Sequence, residues 1–273
     1  MKFCIVTSQK DIAGTNIFNL FINKFGFSIT DEIFDNMPVY KKKDTILLNC
    51  AEDIIYVDYL DKYFNPDVYI FASRHKSESE KSCLTIHTTG NWSEDVSHGG
   101  RVKELSIFHS VLAKKAFRKL ILATRKIGIK KDVCLEVTHH GPTSLKKPMF
   151  FIEVGSDEKE WQNIVNCEII ASVIDETIKE SEILEKGKVA IGFGGPHYAP
   201  TFSRIETEDE YTMGHICPRY NVQHIDEGMI EQMIKKTFPV AEIALIDWKG
   251  LKSDERTHLI KKIENVGIKY ERV

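Results

Sequence analysis

Short runs of β-branched and aromatic residues alternate along this chain with longer stretches whose apolar positions repeat every third or fourth residue. Phe3–Thr7, Val68–Ala72, Leu84–His87, Val133–Val137, Met149–Val154, Val189–Phe193 and Ile243–Asp247 read as strands, most of them apolar on both faces. Gly14–Phe25, Val102–Ile127, Asp157–Leu184, Glu227–Lys236 and Asp254–Val266 carry helical spacing. In the second of these, Leu105, Phe108 and Leu112 share one face; in the third, Asp157 is an N-cap candidate with Glu160 three residues on, and Trp161, Val165, Ile169 and Val173 recur every fourth residue. Alternating strands and helices predict an α/β fold, a three-layer α/β/α sandwich around a mixed, mainly parallel sheet. No repeat, low-complexity tract or Pro/Ser linker divides the chain, so residues 1–273 read as a single domain. The polar stretch Ser203–Tyr220 reads as a long functional excursion.

Composition narrows the classes. The 273 residues are 42% hydrophobic and 28% charged, ordinary globular proportions that exclude a disordered or collagen-like chain. Only Phe3 to Val6 are apolar behind Met1-Lys2, too few for an export signal, and no run approaches the roughly 20 apolar residues of a spanning helix. A cytoplasmic protein without membrane contact is the expectation. The six cysteines fall at no CxxC spacing, which argues against a disulfide scaffold and a cysteine-built zinc knuckle. The net charge of −3 is unevenly spread: between Arg101 and Lys131, ten Lys and Arg face Glu104 alone, leaving that segment at +9 and the remainder at −12. Such a helix is either a docking strip for RNA phosphates or a solvated face.

The chemistry gathers where strands end. Ser73-Arg74-His75-Lys76-Ser77-Glu78, Thr88-Thr89-Gly90-Asn91-Trp92, Thr138-His139-His140-Gly141-Pro142 and Gly194-Gly195-Pro196-His197-Tyr198-Ala199-Pro200 each follow a predicted strand. In a largely parallel sheet these ends share one edge, where α/β ligand crevices lie. His75, His87, Glu136, His139, His140, His197 and His215 offer imidazoles and a carboxylate suited to zinc, whose chemistry is ester or amide hydrolysis. If Glu136–His140 stays extended, Glu136 and His140 point to one side and His139 to the other. His109 and His258 read as structural, and His98 and His224 have no assigned role. Gly192-Phe193-Gly194-Gly195-Pro196-His197 lacks the last glycine of GxGxxG, no GxxxxGK[ST] occurs, and HExxH and GxSxG are absent. Ser97-His98-Gly99-Gly100 reads as a glycine turn in preference to a phosphate loop.

Taken together, Ala72-Ser73-Arg74-His75-Lys76-Ser77, Leu84-Thr85-Ile86-His87-Thr88-Thr89-Gly90-Asn91, Glu136-Val137-Thr138-His139-His140-Gly141-Pro142, Gly192–Pro200 and Gly214-His215-Ile216 resemble the archaeal and plant-type D-aminoacyl-tRNA deacylases, in order and over essentially the whole chain. The resemblance implies a fold like that of nucleoside phosphorylases and peptidyl-tRNA hydrolases. It also implies hydrolysis of the ester between a D-amino acid and the terminal ribose of tRNA, in translation quality control. Two zinc ions per monomer, a monomeric state and tRNA carrying a D-amino acid as partner come with it. The motif match does not itself assign ligands; Glu136, as ligand or general base, and His139, His140 and His197 are expected to be catalytic. Metal ligation is expected from His75, His87, His140 and His215, and oxyanion contacts from the backbone at Gly90, Asn91, Gly194 and Gly195. Docking of tRNA is expected at Arg101, Lys103, Lys114, Lys115, Arg118, Lys119, Arg125 and Lys126. The rivals are a peptidyl-tRNA or small-amide hydrolase of the same fold and a non-catalytic RNA-binding module.

Overall fold

The computed structural model describes residues 1–77, 81–129, 131–183 and 187–273. Glu78, Lys130 and Leu184, named above, lie outside them. The chain runs β1 (Phe3–Ser8), α1 (Ile12–Phe25), β2 (Ser28–Phe34), β3 (Met37–Lys42), β4 (Thr45–Cys50), β5 (Val68–Lys76), β6 (Cys83–His87), β7 (Phe108–His109), α2 (Ser110–Lys126), β8 (Asp132–Leu135) and β9 (Met149–Ser156). It continues through α3 (Glu158–Gln162), α4 (Ile164–Lys179), β10 (Lys188–Phe193), α5 (Pro200–Glu206), β11 (Tyr211–Cys217), α6 (Glu227–Lys235), β12 (Thr237–Phe238), β13 (Ile243–Ile246), α7 (Ser253–Val266) and β14 (Lys269–Arg272).

The strands form two sheets. The larger is mixed, in the order β12-β7-β9-β5-β1-β4-β3-β2, with β6 antiparallel to β9 and β8 parallel to β6. The smaller, β11-β10-β13-β14, is parallel throughout. The α/β expectation holds, with the strands divided between two sheets.

Alternation places the cores. Phe3 and Ile5 of β1, Ile70 and Ala72 of β5, and Phe150 and Ile152 of β9 join a core that also takes Phe21 of α1, Phe117 of α2, Ile170 of α4 and Met213 of β11. That one core therefore joins both sheets. The alternate residues Cys4, Val6, Tyr69, Phe71, Met149 and Phe151 form a second core with Ile54, Val57 and Leu60 from 3-10 turns. A third core lies between the smaller sheet and α6 and α7.

Several predicted boundaries move for local reasons. Asn163 splits the predicted Asp157 helix, because its side chain caps Val165 N–H and starts α4 afresh. Asp157 is the N-cap expected, accepting from Glu160 N–H at 2.9 Å. The Val102 helix begins only at Ser110, capped by His109. Ser203–Tyr220 is no open excursion: it holds the end of α5 and the fully buried strand β11, with buried Glu206 accepting from Met213 N–H at 2.7 Å.

Candidate active site and metal centre

Every second residue of three adjacent strands builds the floor of the site. Ser73 and His75 of β5, Glu153 of β9 and Thr85 and His87 of β6 share the face of Phe71 and Phe151, since Glu153 stands opposite both Ser73 and Thr85, and His87 opposite Phe151. Glu136 follows β8, its N–H donating to Ile86 O, between Leu135 and Val137, which turn into the opposite core. His139 and His140 come from the next turn, and His197 from the turn after β10 in the other sheet. Its carbonyl accepts Val137 N–H at 3.0 Å. The end of β5 and the turns after β8 and β10 converge on one cleft. The crevice, however, is not one parallel edge, because β6 runs antiparallel and delivers His87 onto the sheet face. Residues 136–140 do not stay extended either. The strand ends at Leu135 and His140 takes φ +43°, so both imidazoles of the pair pack against His87, with centroids at 4.4 and 4.9 Å.

Three sets of side chains bring one ligand atom each within 4.8 Å of one another: His87, His139 and His140; His75, Glu136 and His197; and His87, Glu136 and Glu153. The first set is pre-oriented by the backbone. Nδ1 of His87 lies 3.0 Å from Thr88 O, Nδ1 of His139 2.8 Å from Val137 O, and Nδ1 of His140 2.6 Å from Gly141 O. A carbonyl can only accept, so each Nδ1 carries the proton; His139 and His140 are neutral and keep a lone pair on Nε2, whereas at His87, against the effect of burial, the Glu153 and Glu136 carboxylates favour the charged ring, whose Nε2 proton a cation would displace. Nε2 of His87 and Oε1 of Glu136 are buried without hydrogen-bond partners. Two buried atoms that can each offer a lone pair, next to the Nε2 atoms of His139 and His140, make a place that could hold a cation, and the donor set of imidazoles and carboxylates fits zinc.

The carboxylates are held as anions. Burial would raise Glu136, but His197 Nε2, 2.7 Å from Oε2, His75 and the charge of His87 hold it well below the usual carboxylate range. Glu153 is likewise driven down against its burial by His87 and His75, and accepts the Ser73 hydroxyl at 2.6 Å. Burial, then the neighbouring imidazoles, pushes His139 well below its usual value, and burial with His87 takes His140 to about 4. His75 Nε2 meets the Tyr198 hydroxyl at 3.0 Å. The open side is a cleft of about 650 Å³ reaching Asp11, Asp53, Arg74 and His98.

Other expected residues stand elsewhere. His215 is fully buried, with Nδ1 3.2 Å from the Thr138 hydroxyl and Nε2 3.1 Å from Ser106 O, so the structure takes it out of the ligand set. The N–H groups of Gly90, Asn91 and Gly194 donate to His140 O, Glu104 O and Cys217 O, and Gly195 faces a separate cleft; none is aimed at the cluster. Lys114 and Lys115 are buried, their ammonium groups donating to the carbonyls of Glu208 and Tyr211 and of Glu180 and Ile183. Arg118 is bound to Thr207 O, Glu208 O and Asp209, and Lys119 to Glu176 and Glu180. This part of the basic strip therefore ties α2 to its neighbours and presents no docking face. Lys103 pairs with Asp226, while Arg101, Arg125 and Lys126 are exposed. Glu153 and Tyr198 were missing from the expected set. The signal for Glu153 was a lone carboxylate inside the otherwise apolar run Met149–Val154.

Against known proteins, the family description D-aminoacyl-tRNA deacylase matches residues 62–271. The chain belongs to this family. A D-aminoacyl-tRNA deacylase of Methanocaldococcus jannaschii is 40% identical over the full length of both chains, and one of Pyrococcus abyssi is 37% identical over 97% of this chain and 98% of its own. The crystal structure of a conserved protein of unknown function superposes with a TM-score of 0.89 at 27% identity, covering 99% of this chain and 95% of that one. As in any member of a deacylase family, the chemistry required is hydrolysis of an acyl bond, and the cluster supplies carboxylates and imidazoles for it. No helix among the described residues is long and apolar enough to cross a membrane.

Proposed function

We propose that this chain hydrolyses the ester between a D-amino acid and the 3′-terminal ribose of tRNA, releasing the free D-amino acid and the tRNA. The observation that carries the reading is the cluster of five imidazoles and two buried carboxylates in a chain of this family. Zinc is the proposed ion, held by His87, His139 and His140 through Nε2. A second ion has its place among His75, Glu136 and His197, with Glu153 adjoining both. Bound zinc supplies Lewis-acid polarisation of the ester carbonyl and a water acidified to near neutral pH. The chain's own residues do the rest. Glu136 takes the proton of the attacking water, while His197 Nε2, 2.7 Å from Oε2, and His75 Nδ1, 3.2 Å from Oε1, hold the carboxylate in place. When the His75–Glu136–His197 place holds no ion, His197, with 34% side-chain exposure, is the group proposed to give a proton to the leaving ribose oxygen. The cleft walls choose the D form by shape, since the side chain of a D residue stands where an L residue has hydrogen.

The shared core of the two sheets supports a single domain, and a cytoplasmic monomer is the proposed state. Exposed Arg101, Arg125 and Lys126, with Lys103 at its ion pair, remain the proposed phosphate contacts of the basic segment. The test measures release of D-tyrosine and L-tyrosine from matched aminoacyl-tRNAs, with chelator and then with zinc restored. Loss of the D-ester alone, stopped by chelation and recovered with zinc, is the expected outcome. Equal or absent hydrolysis of the two overturns it.

A further inference from the structure

The basic segment cannot guide the acceptor end through its buried lysines, and another surface offers what single-stranded RNA requires. In the parallel sheet β11-β10-β13-β14 the carboxyl ends all lie at one edge. Beyond them, the turns after β10, β11 and β13 enclose a cleft of about 580 Å³ lined by Gly195, Pro196, Arg219, Tyr220, Lys249 and Gly250. Crevices outside the carboxyl ends of parallel strands are where α/β folds take ligands. Tyr220 is 53% exposed, a large aromatic face turned to solvent. Arg219 stands beside it, paired with Glu255 at 3.2 Å, and Lys249 is exposed with no ion pair among the described residues. The floor is bare backbone: Gly195 has φ +78°, and a Cβ at Gly250 would come within 2.6 Å of Gly195 N and of the Asp247 carboxylate. The turns after β10 and β13 therefore meet backbone to backbone at the cleft.

The cleft leads to the chemistry. Pro196 lines it and the next residue, His197, lines the catalytic cleft, one peptide unit or about 3.8 Å away. We infer that this cleft binds the unpaired 3′-terminal nucleotides of tRNA, one base stacked on Tyr220 and phosphates against Lys249 and Arg219, so that the terminal ribose is delivered to His197. The inference rests on the proposed deacylase reading.

The test compares the affinity of the zinc-loaded protein for uncharged tRNA with an intact 3′ end and for the same tRNA trimmed of its unpaired terminal nucleotides. Base–aromatic stacking is worth about 1–3 kcal/mol, or roughly 5- to 150-fold in affinity. Wild type should prefer intact tRNA by a factor in that range. Tyr220→Ala should bind intact and trimmed tRNA alike, Tyr220→Trp should keep the preference, and Lys249→Glu should reduce it along with the salt dependence. If Tyr220→Ala keeps the full preference, or wild type shows none, the inference is overturned even when the D-ester is hydrolysed. If the preference depends on Tyr220 but no D-ester is cleaved, the cleft stands as an RNA site and the deacylase reading alone fails.

Discussion

Replacing His87 with alanine tests whether the cluster is a metal centre. His87 belongs to two of the three ligand sets, and its Nε2 is the buried atom without a partner. A ligand that binds only the folded protein stabilises it by RT ln(1 + [L]/Kd), about 2.7 kcal/mol at one hundred times Kd. For a chain of this size each kcal/mol moves the unfolding midpoint by roughly 2–4 °C, so zinc should raise Tm of the wild type by about 5–10 °C. Losing a ligand costs at least what losing an outer hydrogen-bond partner costs, about 10- to 100-fold in metal affinity. At the larger loss the same zinc concentration merely equals Kd, and the stabilisation falls to about 0.4 kcal/mol, a shift of about 1 °C. The assay is thermal unfolding of metal-stripped protein with and without zinc, each variant compared with its own stripped form, so that damage to packing cancels. His215→Asn is the control, because both ring nitrogens of His215 are engaged by Ser106 and Thr138 away from the cluster. A zinc shift as large in His87→Ala as in wild type, or one lost equally in His215→Asn, would refute the assignment.

Glu136→Gln should lower kcat for D-aminoacyl-tRNA by about 10²–10⁴-fold, the usual worth of a positioned general base, while zinc bound at the His87 set is retained on metal analysis; full turnover would remove the base assignment. Lys114→Met should cost roughly 1–3 kcal/mol in denaturant unfolding, because the buried Tyr211 carbonyl loses a charged donor while Glu208 O keeps Arg118, with no change in tRNA affinity. His109, at the N-cap of α2, is lowered to about 4 by burial. Its folded pKa lies below the unfolded value of about 6.5, so its contribution is full above that value and is lost as pH falls toward 4, about 3 kcal/mol in all. His109→Asn keeps a capping acceptor and should flatten the fall in Tm between pH 6.5 and 4 relative to wild type; parallel profiles would discount the reasoning.

What could be read from the sequence divides along physical lines. Strands apolar on both faces, such as Val68–Ala72 and Met149–Val154, announce themselves because nothing else in a soluble fold buries such runs. β2 does not: Ser28–Phe34 is mostly exposed, shows no alternation and takes its pairing from β3. β11 escaped because its polar residues are buried on partners far away in sequence, His215 on Ser106 and Thr138. Charge counting erred on α2 for a related reason. A lysine on a solvated face and a lysine whose stem crosses the core to cap two carbonyls have the same composition and the same helical spacing. The cluster was legible where histidines follow strands; at Glu153 the lone carboxylate in an apolar run was a signal, but its partners depend on β6 pairing antiparallel with β9, a choice of topology that local sequence does not encode.

The placement of His197 explains why the two sheets dock as they do. His75, His87, Glu136 and Glu153 all belong to the larger sheet and its exits, and only His197 with Tyr198 comes from the smaller one. Its reach is set by main-chain bonds that no side-chain substitution removes: Val137 N–H to His197 O at 3.0 Å and Thr138 N–H to Ile216 O at 2.9 Å. Thr138 adds a third tie, its hydroxyl accepting from Ile216 N–H, and its carbonyl takes Trp92 Nε1–H at 2.7 Å. The residues that follow in the chain are His139 and His140. The segment that fixes the sheets to each other is thus the segment that aims the imidazoles. A cation shared by His75, Glu136 and His197 would then couple its binding energy to the inter-sheet contact, because the ligand atoms meet only when the sheets are docked.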